Sequence, residues 1–567
     1  MPSTILSHLN LLRKEDDKEI DAASASDVEA AEHFVAELDK GEKRLGIISS
    51  IGLICNRMMG TAIFVVTSDI YKLVGSVGLT LILWVVGAAI ALTGLYVYME
   101  FGTAIPRNGG EKNYLEHIFK KPKFLVTSLY ASYAFFLGWA AGNSLIVARM
   151  FLIAGNVELT TWNERGAAVG VMFFFFLINS INVKVGLYFQ NILGAFKVLT
   201  IIFIPIVGIV ALCGGIKNAA GTSNFHNAFE GSGDATTYGI VNALYNIIWA
   251  FVGYSNVNYA LGEVRNPVRT LKRAGPISLI LLSILYLLVN IAYFAVVPKE
   301  EVHSSGVQIS INFFRIAFGE GAKRAGAVFI ALSALGNVCS VSFSQARIIQ
   351  QLGREGVLPF SNFFASSKPF NSPLVGLFQH FVVCVITVCA PPADGYVYFL
   401  ILNLISYPMN IINTAVSGGL LWIYWQRRQG KIEWDPPIRA GVYVTTAFLL
   451  ANIYLVFAPY IPPPADMRLD QTLPYWTHCV LAWAIFGVGA IYWFVWTRIL
   501  PKIGGYKLVY SEVLGEDGFW RNKILKQYDD KPPVEVENSA EASAYSRKTM
   551  ELSPENSLNN LATKQRN

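Results

Sequence analysis

Two stretches of this sequence put polar residues where an apolar run of membrane-crossing length ought to be uninterrupted. Residues 45–74 (LGIISSIGLICNRMMGTAIFVVTSDIYKLV) carry Asn56 and Arg57 near the middle, followed at once by Gly60, Thr61 and Ala62. Residues 249–258 run Trp249, Ala250, Phe251, Val252, Gly253, Tyr254, Ser255, Asn256, Val257, Asn258. Gly, Ser and Asn are poor helix formers, and polar groups at this depth need partners. Each unpaired backbone N–H or C=O in hydrocarbon costs roughly several kcal/mol, so helices there are seldom broken without a reason. A helix interrupted by small residues at mid-depth frees backbone N–H groups, and with the positive end of the resumed helix these suit a carboxylate. The plainer alternative for the first stretch is a seam of small residues on which helices pack.

Two charges are placed inside apolar runs. Arg57 sits three residues before Gly60, where a lone charge costs about 3 kcal/mol or more, so a partner is expected. Glu263 and Glu100 are the candidates by position, and an ion pair between Arg57 and Glu263 is the expectation, as an inner gate. Lys197 lies in QNILGAFKVLTIIF. It either snorkels to the nearer interface or stays buried, where desolvation makes its proton easy to lose.

These groups need a framework of spans. The 567 residues are 53% hydrophobic and 15% charged, too apolar for a soluble chain of this length. Repeated runs of about 20 apolar residues read as crossing helices. They fall at 46–74, 78–102, 123–151, 165–183, 190–214, 238–262, 274–298, 323–347, 374–392, 395–424, 438–460 and 475–500, twelve in all, the tenth containing Pro408. Residues 45–500 carry 29 Lys and Arg against 18 Asp and Glu, a surplus assigned to loops and not to a nucleic-acid surface. The loops after even-numbered spans hold most of it, for example Arg107, Lys112, Lys120, Lys121 and Lys123 after the second, which puts both tails on the cytoplasmic side. The two interrupted spans are the first and the sixth. Five spans separate them, an odd number, so the two halves are inverted relative to each other. That is the pattern of an inverted-repeat secondary transporter with its site at mid-membrane.

The motifs carry a resemblance. Gly60–Phe64 (GTAIF) resembles the first-helix signature of the amino acid–polyamine–organocation superfamily, and GYSNVNY at 253–259 with EVRNP at 263–267 is similar to the sixth helix of its L-type amino acid transporter branch. Glu100–Pro106 with Gly109, Gly110 and Glu111 is similar to that branch's loop after the second helix. The likeness spans roughly 45–500. It implies an all-α membrane protein of twelve helices, a 5+5 inverted repeat (LeuT-like) plus two extra helices, with helices 1 and 6 broken at the midplane. It implies an α-carboxylate held by backbone N–H groups around Gly60, Thr61, Ala62 and Ile63. The α-ammonium would be held by carbonyls around Trp249, Ala250, Phe251, Val252 and Gly253, with Trp249 closing as a gate; the bland alternative for Trp249 is a packing aromatic. Lys197 aligns with the place of a second sodium ion in sodium-coupled members, which implies a coupling proton there. Where the family usually has Gly, this chain has Ala62, whose methyl crowds the carboxylate.

Within the branch, GLICNRM, GWAAGNS, FVGYSNVNYALGEV and LGREGVLPFSNFFASSKPFNSP resemble the fungal methionine-transporting members. The resemblance implies a plasma-membrane permease importing L-methionine with H+; cysteine or another neutral amino acid, and a nutrient receptor with little transport, are the alternatives. Glu100, Glu111 and Pro106 are read as structural, holding the loop to the bundle. Gly138, Ala140, Ala141 and Gly142 are read as allowing close helix approach. Residues 1–44 are acidic and form a disordered tail in which Lys14 and Lys18 are accessible to a ubiquitin-ligase adaptor; 501–567 form the second tail, in which Leu514–Trp520 is apolar enough to dock. The six cysteines make no CxxC pair, and no zinc site or disulfide framework is expected. There is no GxGxxG, P-loop or HExxH, so no enzyme, cofactor or nucleotide-driven pump is expected.

Overall fold

The computed structural model of the chain describes residues 46–107, 109–264, 266–392, 397–462, 473–514 and 520–528. The N-terminal residues Lys14 and Lys18, and 515–519, lie outside them, and of Glu263 only the backbone is described.

The molecule is helical nearly throughout. It opens with α1 (Ile47–Met58) and α2 (Ala62–Val74), which meet at a bend of 46° and together make one candidate span. α2 stops at Gly75, whose φ of 73° an L side chain seldom adopts, and Ser76 then caps α3 (Val77–Ala104) by accepting from the Leu79 N–H at 3.2 Å. A short helix, α4 (Glu111–Ile118), follows, then α5 (Leu125–Phe136) and α6 (Ala141–Ala154), α7 (Thr161–Ile181), α8 (Val183–Leu212) and α9 (Thr237–Phe251). Thr160 caps α7, Asn182 caps α8 and Thr236 caps α9, each through a side-chain oxygen. A 3-10 turn over Asn256–Glu263 leads to α10 (Pro267–Val296), which has proline at its first position, where the missing N–H costs nothing. Then come α11 (Lys299–Ser305), α12 (Ile309–Phe318), α13 (Ala322–Arg354), α14 (Ser361–Ala365), α15 (Leu374–Cys389), α16 (Val397–Arg428, with Pro408 inside), α17 (Val442–Phe457), α18 (Thr477–Phe494) and α19 (Leu500–Gly504).

Among the described residues nine helical segments are long and apolar enough to cross a membrane, and the bent pair α1–α2 makes a tenth. The sixth expected span is α9, 15 residues, and its turn; the ninth is α15, 16 residues. Both are shorter than a single helix needs to cross unaided.

Two features differ from the expected layout. The third span is not continuous: Leu137–Ala140 interrupt it between α5 and α6, so Gly138 and Ala140 stand in an opening of the helix, while Ala141 and Gly142 begin α6. Gly138 is close-packed as well; a Cβ there would come within 2.6 Å of Thr387 Oγ1. The second tail contains an antiparallel hairpin, β1 (Tyr506–Leu514) and β2 (Trp520–Tyr528), paired from Tyr506 with Tyr528 to Leu514 with Trp520.

The apolar interior forms two main groups. One gathers α1, α2, α9, α10 and α12; the other gathers α5, α6, α13, α15 and α16. Trp249 and Tyr254, which flank the end of α9, pack against both. The interruption of the sixth span therefore lies on the seam between two packed bodies.

Candidate substrate site at the two helix breaks

At the first break the last helical bond is Met59 N–H to Cys55 O at 2.9 Å, and the chain then turns out of helix at Gly60, whose N–H bonds Met58 O at 2.7 Å. α2 resumes at Ala62, and the backbone N–H groups of Thr61, Ala62 and Ile63 make no hydrogen bond among the described residues. Tyr286 on α10 donates to Met58 O at 2.8 Å, fixing one lip of the break.

At the second break α9 ends at Phe251, with the Val252 N–H reaching only back to Trp249 O at 3.2 Å. Gly253 has φ +121°, and a Cβ on it would meet Arg57 Cγ at 2.5 Å and Arg57 Cβ at 3.0 Å. Glycine is needed there twice, for its backbone angle and for its contact. The two breaks thus touch, Gly253 against Arg57. The carbonyls of Ala250, Phe251 and Val252 accept no backbone hydrogen bond among the described residues.

A chain of polar side chains braces the first break. Thr61 Oγ1 donates to Asn143 Oδ1 at 2.6 Å, Asn143 Nδ2 donates to Asn337 Oδ1 at 2.8 Å, and Asn337 reaches back to Arg57 O at 3.5 Å. Tyr398 on α16 places its hydroxyl 3.4 Å from Thr61 Oγ1. Asn143 lies in the first turn of α6, just past the interruption at Leu137–Ala140. The sequence marks Asn143 as a polar residue in an apolar run but does not show that Asn337 and Tyr398 join it, since both lie almost 200 residues or more away in the chain.

Lys197 is fully buried on α8 and donates to Asn56, to the backbone oxygen at 3.3 Å and the side-chain oxygen at 3.1 Å. It does not snorkel. Arg57 makes no ion pair among the described residues. The side chain of Glu263, its expected partner, lies outside the described residues. Glu100, the other candidate, is taken: its carboxylate accepts from Tyr424 OH, Trp434 Nε1 at 2.9 Å and the Ala440 N–H at 2.7 Å. It anchors the segment between α16 and α17.

A cavity of about 910 Å³ reaches the second break, lined there by Phe251, Val252, Gly253 and Tyr254, with Arg57 beside them, and extends to the loop at Gly109–Lys112 and the end of α13. Gly60, Thr61, Ala62, Ile63, Trp249 and Ala250 are not on its lining. Thr61, Ala62 and Ile63 are buried. Of the sequence-derived site, the structure joins Phe251, Val252, Gly253 and Arg57 to open space, and holds the N–H side of the site closed.

A family model for amino acid permeases matches residues 45–485. The chain belongs to the amino acid permease family. Among its relatives, the high-affinity methionine permease of Saccharomyces cerevisiae is 64% identical over 93% of this chain and 94% of its own length. The low-affinity methionine permease of the same organism is 29% identical over 90% and 92%. The b(0,+)-type amino acid transporter 1 of Rattus norvegicus is 28% identical over 75% and 84%. As an amino acid permease the protein is a multi-pass membrane transporter and not an enzyme.

Proposed function

We propose that this permease imports L-methionine across the plasma membrane by proton symport with alternating access. The observation that carries the site is the contact of the two breaks through Gly253 and Arg57, with unbonded N–H groups on one side and unbonded carbonyls on the other. The first group faces an anion and the second a cation, which fits an α-amino acid and little else of that size. The substrate's carboxylate is taken by the N–H groups of Thr61, Ala62 and Ile63, the Gly60 N–H being held by Met58 O, and its ammonium by the carbonyls of Ala250, Phe251 and Val252, with Trp249 closing over it. The selection of methionine rests on 64% identity with a methionine permease, over nearly the full length of both chains.

The fold under this reading has twelve spans, a 5+5 inverted repeat plus two, counting α9 with its turn and α15 as spans 6 and 9. Both tails are cytoplasmic, by the Lys and Arg bias of the loops. Lys197 is the coupling site: a fully buried ammonium bonded to Asn56 at the end of α1 ties the proton to the shape of the first break. Arg57 with Glu263 is the inner gate, and a ubiquitin-ligase adaptor reads the N-terminal tail.

Radiolabelled methionine uptake into transporter-deficient cells expressing the chain tests the reading. Saturable uptake that falls from acid to neutral pH and collapses with an uncoupler is the expected result. Absence of uptake with the protein at the surface rejects methionine import and points to another neutral amino acid.

A further inference from the structure

The cavity has a second charged wall that the helix breaks do not use. Glu111 opens α4 in the loop between α3 and α5, and is one of the residues lining the cavity. It is 7% exposed, and its Oε2 has no hydrogen-bond partner among the described residues. A carboxylate withdrawn from water in this way needs a cation or a donor. Five tyrosines line the same cavity: Tyr98, Tyr130, Tyr133, Tyr254 and Tyr259. Tyr98 and Tyr254 pack edge to face with centroids 5.8 Å apart, and Tyr130 and Tyr133 lie 5.7 Å apart. Gly110 brings the loop onto Tyr259, where a Cβ would stand 3.0 Å from the ring. Lys112, next in the chain, is already committed: it is ion-paired with Glu355 and lies 3.5 Å from Glu116.

A buried carboxylate walled by aromatic faces is the chemistry that receives an ammonium, through charge and through the ring quadrupoles. Arg57, at the helix breaks, lines the same cavity with the opposite charge. Lys112, Arg347 and Arg354 line it too, and of its two carboxylates Glu355 is held by Lys112, which leaves Glu111 to attract the ammonium. Burial raises the pKa of Glu111, opposed by the nearby hydroxyls of Tyr259 and Tyr98 and by its own backbone N–H; a cation in the cage would reverse that rise.

We propose that Glu111 and the tyrosines Tyr98, Tyr130, Tyr133, Tyr254 and Tyr259 form a second substrate site, which binds the primary ammonium of an amino acid between the helix breaks and the mouth of the cavity. It rests on the permease reading above, and it gives the substrate a waypoint on one face of the membrane only.

The test measures the KM for radiolabelled L-methionine from each membrane face, in right-side-out and inside-out vesicles holding the full chain. E111Q should raise the KM on the cavity face relative to the KM on the other face by about tenfold, the worth of one charged hydrogen bond. E111D should recover part of that ratio. The α-hydroxy analogue of methionine, which lacks the ammonium, should compete poorly on the cavity face of the wild type, and its deficit against methionine should narrow in E111Q to what the carbonyls of the second break impose. Both KM values moving in parallel, or neither moving, overturns the site and leaves Glu111 a structural residue. If E111Q does not reach the membrane, Y259L, which removes an aromatic face, is read by the same ratio, and an unchanged ratio overturns the proposal equally. Wild-type vesicles that carry no amino acid from either face overturn the transport reading together with this one.

Discussion

Lys197 on α8 donates to both oxygens of Asn56 at the end of α1, at 3.3 and 3.1 Å, from a position sealed from solvent. An ammonium in that place ties the protonation of one helix to the geometry of the break in another. Lys197→Met should therefore abolish the acid stimulation of methionine uptake, bringing the ratio of acid to neutral initial rates to about one, because the substitution removes the ammonium from that contact. Initial rates at two external pH values, normalised to surface protein, check it; a variant that keeps full pH-dependent uptake removes Lys197 from the coupling mechanism.

Asn143 holds Thr61 and Asn337 at once, at 2.6 and 2.8 Å. Asn143→Ala breaks two bonds between helices and should cost about 1–3 kcal/mol, taking interhelical hydrogen bonds at roughly 0.6 to 1.7 kcal/mol each. Thermal unfolding of the purified protein in detergent should show the loss, and methionine binding should weaken because Thr61 is no longer held.

Ala62 opens α2 with its N–H unbonded and its side chain buried. Ala62→Gly removes the methyl that narrows access to this N–H and should lower the KM for methionine by about two- to fivefold, against a backbone cost of less than about 1 kcal/mol. Equal uptake kinetics in the two proteins would show that this position does not meet the carboxylate.

The ion pair of Lys112 and Glu355, with side chains 7% and 6% exposed, joins α4 to the end of α13. Burial pulls the Lys112 pKa down, but the carboxylates of Glu116 and Glu355 outweigh it and the net shift is upward. A folded pKa raised above the unfolded one gives stability that is fully present below the ordinary lysine value, and it is lost only in strong alkali. Lys112→Met should cost about 3–5 kcal/mol by leaving Glu355 buried and uncompensated, and Lys112→Met with Glu355→Leu should recover most of it. Unfolding midpoints of the single and double variants decide this.

The hairpin docks beside that pair: the Ile524 N–H donates to Glu355 O at 2.9 Å and the Tyr510 ring lies 4.8 Å from that of Phe124. Truncation at Tyr510 removes β2 and this bond, and should shorten the lifetime of the protein at the cell surface; unchanged turnover and uptake would show the contact to be idle.

Composition and spacing carried a good part of this protein. Apolar runs of crossing length, interrupted at Asn56–Ala62 and Gly253–Asn258, mark a membrane transporter and both breaks, because the cost of an unpaired amide in hydrocarbon is local and shows in residue type. The hairpin also left a signal, the β-branched and aromatic run YKLVYSEVL followed by Gly-Glu-Asp-Gly, which the reading of 501–567 as a tail passed over.

What the sequence by itself determined was where the backbone must open, and which residue types stand at the openings. Only the tertiary structure decided what those openings meet. Lys197 faces Asn56 instead of the interface, Glu100 is held by Tyr424 and Trp434 instead of Arg57, and Thr61 finds Asn143 through an unforeseen gap in the third span. The reason is physical: helix breaking is settled within a few residues, whereas a buried polar group takes whichever partner packing brings within about 3 Å, and that partner is commonly more than a hundred residues away.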